Sequence, residues 1–357
     1  MIADIVKIFV PAVASFGVGI LITPIITHFL YSKQMWKKKA GKVDMSGNDT
    51  PIRNAIHKDK DVNTPRMGGT IIWISVFAVI SIVWIIAEFT GWGVFQKLDI
   101  MSRNQTWIPL STLILGAVVG LFDDYLEIKG TGNHVAGGLS LKIRLSIVGL
   151  VGLAVGWWFY EKLGVSGIGL PLGGELPLGS LFVPFTALFM MLIYSGGIID
   201  GIDGLSGGIF STIFAAYAGI AFYQGQINLA AFCAVIVGGI LAFLWFNIPP
   251  ARYYMTETGS MALTMALAVV VLMTDRLGDG YGILVFPVIA LPLLATTASV
   301  IIQILSKKFR NGKKVFLVAP LHHHFEALGW PAYKVTMRYW IIGVICALLG
   351  MSLALVG

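Results

Sequence analysis

Ten apolar stretches follow one another through the chain, at about residues 5–30, 69–89, 107–122, 143–160, 180–199, 205–223, 228–247, 260–275, 282–305 and 336–356. Segments of this kind cross the hydrocarbon of a bilayer as helices, because only a helix or a closed barrel satisfies its own backbone polar groups where no water is present. The predicted fold class is an all-α integral membrane protein with about ten transmembrane helices. Charged residues are only 12% of the chain, against roughly 25% in a soluble domain. No stretch between the spans is large enough for a second folded unit, so residues 1–357 read as a single polytopic domain. The first span outruns a signal-peptide core and lacks a positive leader, so a retained helix is expected.

Orientation follows from the basic residues. The loops after spans 1, 3, 5, 7 and 9, with their flanks, hold 20 of the 25 Lys and Arg, leaving Lys7, Lys97, Arg103, Lys162 and Arg276 elsewhere. That asymmetry puts the odd-numbered loops in the cytoplasm and both termini outside. The net charge of +7 is then a topology signal, and no basic face for nucleic acid is found. On the outer side, residues 163–181 alternate small and apolar residues around Gly173-Gly174 and predict a short β-hairpin. Pro287 and Pro292 predict a break in the ninth span. Cys233 and Cys346 both fall inside spans, which excludes a disulfide framework or a cysteine-based metal site.

Carboxylates beside membrane spans are costly and mark function by default. Asp123-Asp124 end the third span, Asp200 and Asp203 lie at the exit of the fifth, and Glu257 lies between the seventh and eighth. The orientation places all five at the cytoplasmic edge, with His322-His323-His324 in the next cytoplasmic loop. Carboxylates gathered on one face repel unless a cation sits among them, and magnesium prefers such hard oxygens together with substrate phosphates. Each motif has a plainer reading: a solvated helix end for Asp123-Asp124, a cap of the sixth span for Asp200 and Asp203, and an N-terminal cap for Thr256, Glu257 and Ser260. The histidine run lacks the spacing of a helical zinc site. Their coincidence on one face favours function.

The first cytoplasmic loop carries nine Lys or Arg, including Lys37-Lys38-Lys39, suited to topology and anionic lipid. His57-x-x-Lys60 precedes Thr64-Pro65-Arg66-Met67-Gly68-Gly69, whose glycines let backbone approach a ligand. Lys142 and Arg144, after the glycine-rich 130–138 loop, are candidates to hold a diphosphate. This is an inventory for phosphoryl transfer between a soluble nucleotide and a membrane lipid. The competing reading is a transporter or lipid-binding protein, whose sites lie nearer the midplane than these do.

The residues resemble the polyprenyl-phosphate N-acetylhexosamine-1-phosphate transferases along nearly the whole chain. Thr64-Pro65-Arg66-Met67-Gly68-Gly69, Phe122-Asp123-Asp124-Tyr125, Asp200-Gly201-Ile202-Asp203-Gly204-Leu205 and Trp245-Phe246-Asn247 are similar to motifs of that family. Ala319-Pro320-Leu321-His322-His323-His324-Phe325-Glu326, with Gly329-Trp330-Pro331 and Arg338-Tyr339-Trp340, is similar to its muramoyl-pentapeptide branch. The branch that takes UDP-N-acetylglucosamine or related sugars has a different histidine pattern.

The resemblance implies a reaction: UDP-N-acetylmuramoyl-pentapeptide and undecaprenyl phosphate give lipid I and UMP, with magnesium, as the first membrane step of peptidoglycan synthesis at the bacterial inner membrane. It also implies roles. Asp123 would deprotonate or orient the lipid phosphate, supported by Asp124; Asp200 and Glu257 would hold magnesium and the diphosphate. Asp203, Asn247, Tyr254 and backbone near Gly201 would line the uridine site, with Lys60 nearby. His322, His323 and His324 would contact the diphosphate or shape the sugar site. A homodimer is implied by resemblance alone. The chain departs from the usual pattern at Tyr194 and Gly197, where the family has Asn, and at Glu257, where it has Asp. These departures leave open a catalytically impaired homologue.

Overall fold

The computed structural model describes residues 1–37, 62–102, 105–131 and 138–356. Lys60, His57, Lys38 and Lys39 lie outside the described residues, as does most of the glycine-rich loop. The helices are α1 (Ile2–Ser32), α2 (Thr70–Thr90), the short α3 (Gly93–Leu98), α4 (Trp107–Lys129), α5 (Leu141–Leu163), α6 (Phe182–Ser195), α7 (Leu205–Tyr223), α8 (Ile227–Asn247), α9 (Thr256–Met273), α10 (Gly282–Ile289), α11 (Leu291–Phe309), α12 (Leu321–Ala327) and α13 (Ala332–Val356). Among the described residues, nine helices are long and apolar enough to cross a membrane, the fifth running through Gly179–Ile199. The chain is a multi-pass membrane protein. A further pair, α10 and α11, is bent by 75° and counts as a tenth span if taken together. Pro287 lies inside α10 and Pro292 in the first turn of α11, so the break falls where two missing backbone donors weaken the ladder.

The predicted hairpin is present. Strand β1 (Gly167–Leu170) pairs antiparallel with β2 (Gly174–Pro177), and Gly173, at φ 76°, makes the turn. The hairpin is fastened to the bundle by Asp275, just beyond α9. Its Oδ1 accepts Gly169 N at 2.7 Å and its Oδ2 accepts Ile283 N at 3.0 Å. Arg276 adds an ion pair to Glu175 at 2.9 Å.

Helix α9 is the central post: every residue in it except Glu257 is buried. It lies along α4 with little side chain between them. A Cβ on Gly120 would stand 2.2 Å from Glu257 O, and one on Gly116 would stand 2.7 Å from Met261 O. Gly69, entering α2, meets Gly259 in the same way, 2.4 Å from its Cα. Glycine is required there because backbone meets backbone.

Three expectations about local structure are corrected. Helix α4 does not end at Asp123-Asp124 but continues to Lys129, because both carboxylates find polar partners inside the bundle. Glu257 lies in the first turn of α9 rather than between spans; Thr256 and Ser260 form no side-chain cap there, since Thr256 Oγ1 donates to Asp124. The three histidines lie on α12, a short helix, rather than in a loop.

Candidate active site

Two arginines organise the charged end of the bundle. Arg66, in the turn before α2, pairs with Glu127 Oε2 and approaches Asp124 Oδ1 at 3.5 Å. Burial acts to lower the Arg66 pKa, but Glu127, Asp124, Asp200 and Asp123 raise it by more, so the guanidinium stays charged. Lys37 closes this side by pairing with Glu127 Oε1 at 2.5 Å. Arg144, in the first turn of α5, pairs with Glu257 Oε1 and stands 3.6 Å from Asp123 Oδ2. Tyr194 donates its hydroxyl to Glu257 Oε2 at 3.3 Å.

The adjacent aspartates have different environments. Asp124 is wholly buried, and its Oδ2 accepts from Thr256 Oγ1 at 2.5 Å, Thr258 N at 2.9 Å and Thr258 Oγ1 at 2.6 Å. It bolts α4 to the start of α9. Asp123 accepts Leu139 N at 2.5 Å and faces Arg144. Its Oδ1 also lies 2.9 Å from where a Cβ on Gly138 would be, so a glycine is needed for that loop to lie against it. Both face an arginine, Asp124 Arg66 and Asp123 Arg144, but Asp124 is also tied by three donors from α9.

The Asp200–Gly204 turn is held from three sides. Asp200 Oδ1 accepts Ser206 Oγ at 2.7 Å and its Oδ2 accepts Thr256 N at 2.9 Å. Asp203 Oδ2 accepts Ala251 N at 3.2 Å, so the two aspartates hold different segments. Asn247 accepts Gly204 N at 3.0 Å and donates to Tyr253 O at 2.8 Å. Trp340 Nε1 and Thr336 Oγ1, both on α13, donate to Gly204 O and Asp203 O at 3.0 Å each.

Helix α12 leans on this turn. A Cβ on Gly201 would lie 2.0 Å from His322 Nε2, so glycine at 201 lets the imidazole seat on the backbone beside Asp200. His323 stands edge-on to His322, with ring centroids 4.3 Å apart, and its Nδ1 is 2.6 Å from Glu326 Oε2. His324 turns away and accepts Leu317 N at 3.2 Å.

The structure thus brings together Asp123, Asp124, Arg144, Asp200, Gly201, Glu257, His322 and His323, with Asp203 and Asn247 bracing the turn. Lys142 is exposed on α5. Tyr254 is tied by backbone, donating to Pro65 O at 2.9 Å and accepting Gly68 N at 2.8 Å. Arg66, Glu127, Lys37, Thr256 and Thr258 were not anticipated as site residues. One signal was available: Glu127 follows Asp123 by four residues and so shares its helix face.

Magnesium was expected on Asp200 and Glu257. Among the described residues no three His, Cys, Asp or Glu side chains are grouped to hold a metal ion. Asp200 and Glu257 offer hard oxygen donors, each already engaged: Asp200 by Ser206 and Thr256 N, Glu257 by Arg144 and Tyr194. Asp200 reaches the backbone of Thr256, next to Glu257, and Glu257 and Asp123 both turn towards the positive Arg144. Magnesium characteristically takes one or two carboxylates and completes its shell with water and substrate phosphate, so a three-carboxylate cage is not needed.

Comparison with known proteins fixes the family. Residues 106–275 match Glycosyl transferase family 4. The chain is 30% identical over 347 residues to the phospho-N-acetylmuramoyl-pentapeptide-transferase of Lactobacillus acidophilus, covering 96% of each chain. The chain belongs to the phospho-N-acetylmuramoyl-pentapeptide transferase family. Proteins of the same name from Chloroflexus aggregans and Geobacillus thermodenitrificans are 32% and 34% identical over 308 and 297 residues, covering 83% and 82% of this chain and 78% and 84% of theirs. For a phospho-sugar transferase of this family, a ring of carboxylates and arginines with a histidine helix against it is a coherent site. The family match spans Asp123, Asp124, Arg144, Asp200 and Glu257, so the carboxylates and Arg144 all fall inside it.

Proposed function

We propose that this chain transfers phospho-N-acetylmuramoyl-pentapeptide from its UDP-linked donor to undecaprenyl phosphate, releasing UMP and forming lipid I. The observation that carries the reading is the meeting of Asp123, Arg144 and Glu257 beside the His322–Gly201 contact. The basic-residue asymmetry supports an active site facing the cytoplasm of a bacterial inner membrane, where a soluble nucleotide and a lipid phosphate can meet.

In this reading Asp123 orients the lipid phosphate, and takes its proton if it carries one, as an oxygen of that phosphate attacks the sugar-proximal phosphorus. The bond from that phosphorus to the UMP oxygen breaks, and UMP leaves with the electron pair. Arg144 steadies the negative diphosphate. Asp200 and Glu257 would hold magnesium, which when bound neutralises charge on the diphosphate. His322 and His323 shape the sugar side of the site. Asp203, Asn247, Gly201 and the backbone at Tyr254 form the floor on which the uridine rests. Asp124, Arg66 and Glu127 hold α4, α2 and α9 in register.

The test is UMP release by detergent-purified protein with undecaprenyl phosphate and magnesium, comparing UDP-N-acetylmuramoyl-pentapeptide with UDP-N-acetylglucosamine. Turnover of the muramoyl donor alone is expected. Turnover of the other donor alone would move the chain to another branch of the transferases. No turnover of either by a folded sample would sink the enzyme reading.

A further inference from the structure

We propose that Glu326 is a positioning residue: it fixes the ring and tautomer of His323 and, through His323, the seating of His322 on the Asp200 turn. The inference rests on the transfer reading above and adds a residue to it.

His323 and Glu326 lie three apart on α12, one turn of one helix face. Their contact, 2.6 Å between Nδ1 and Oε2, is buried, with side-chain exposures of 7% and 3%. A carboxylate so enclosed is costly unless a strong donor meets it, and an ionised carboxylate only accepts. With Glu326 as the ionised acceptor, we place the proton on Nδ1 and the lone pair of the neutral ring on Nε2. The same arrangement orients imidazoles in many sites, a carboxylate on one nitrogen aiming the other.

Its effect passes along a short chain of contacts. His323 stands edge-on to His322, and His322 Nε2 lies against Gly201 with no room for a Cβ. Gly201 follows Asp200, whose Oδ2 holds the start of α9 beside Glu257. Turning the His323 ring would move the edge against which His322 rests. His324 stands apart from this chain, since its Nδ1 already accepts from Leu317. The three consecutive histidines are thus unequal, and Glu326 selects His323.

The test uses full-length protein in detergent, labelled with ¹⁵N-histidine. The His323 signal is assigned by its loss in His323→Gln, and its ring-nitrogen couplings report the tautomer. Wild type is expected to show an Nδ1–H ring. Glu326→Gln, whose amide oxygen can accept the same proton, is expected to keep that tautomer and to stay within about threefold of wild-type kcat. Glu326→Ala is expected to lose it and to drop kcat about tenfold or more, with KM for both substrates nearly unchanged. An Nε2–H ring in wild type would overturn the inference, and that reading does not depend on any variant folding. So would a Glu326→Ala protein with wild-type kcat, or one whose loss only follows its folded fraction. Failure of wild type to release UMP would instead overturn the transfer reading, leaving the tautomer measurement intact.

Discussion

The hydroxyl of Tyr194 lies 3.3 Å from Oε2 of Glu257, while Arg144 engages Oε1 of the same carboxylate. By the resemblance to its family, Asn is expected where Tyr194 stands and Asp where Glu257 stands. A carboxylate longer by one methylene meets a side chain longer than the usual Asn, so the departures are paired in space. Glu257 is held at both oxygens, which fixes the direction it presents.

The pairing predicts non-additive mutants. Tyr194→Phe should lower kcat about threefold to tenfold, the scale of one modest hydrogen bond. Glu257→Asp should cost about a hundredfold, because its carboxylate retreats by roughly 1 Å, while retaining magnesium dependence. Combining Tyr194→Asn with Glu257→Asp should recover activity relative to Glu257→Asp alone. Initial rates of UMP release decide this; a double mutant no better than the single would show that the two positions act independently.

The neighbouring aspartates should fail in different ways. Asp123→Asn, nearly isosteric, should abolish turnover and leave the thermal unfolding midpoint almost unmoved. Asp124→Asn strips a charge from three donors and from Arg66, and should cost about 3 kcal/mol of stability. Melting curves in detergent beside rate measurements separate the cases. An active Asp123→Asn would remove Asp123 from the mechanism.

At the seam between α4 and α9, Gly120→Ala should destabilise the protein and inactivate what remains, because the new methyl meets the Glu257 carbonyl. Overpacking of this kind costs about 1–3 kcal/mol, and more where the opposing atom is backbone. Gly17→Ala, on α1 with nothing among the described residues within 4 Å of the new methyl, should be silent. Equal behaviour of the two in melting and size-exclusion profiles would contradict the packing described.

At the hairpin end, burial raises the Asp275 carboxyl from 3.8 to about 6, against lowering by the Gly169 and Ile283 N–H groups and Arg276. The folded state then binds this proton more tightly than the unfolded chain. The stabilisation from that proton is fully present below the unfolded value and is lost as pH rises through about 6. Melting midpoints between pH 7 and pH 5 should show this component in wild type and lack it in Asp275→Asn. Identical pH slopes would show that Asp275 does not titrate in that window.

The spans, the hairpin and the broken ninth helix were legible because each depends on local pattern: apolar length, alternation around Gly173-Gly174, or the donors missing at Pro287 and Pro292. The acidic groups could be assigned to one end because topology alternates. Their partners could not. Asp124 meets Thr256 and Thr258 across more than 130 positions, and no local rule says that this aspartate is bolted down while Asp123 faces Arg144. Arg66 stood inside a visible motif, but its carboxylate partners lie on another helix. The histidines read as a loop because seven residues are too few for helical periodicity to declare itself, and the contacts α12 makes, His322 against Gly201 among them, are with residues far away in sequence.

The glycine seam joining α4 to α9 has a kinetic meaning as well. Two rods in backbone contact have no cushion of side chains to compress, so Asp123 and Glu257 travel as one rigid piece. A pair so coupled cannot work as jaws. Movement at this site is left to α5, which carries Arg144, and to α12, while the substrates arrive, one in the plane of the bilayer and the other through three dimensions. The rate of their encounter would then depend on the viscosity and area of the membrane as much as on anything the protein moves.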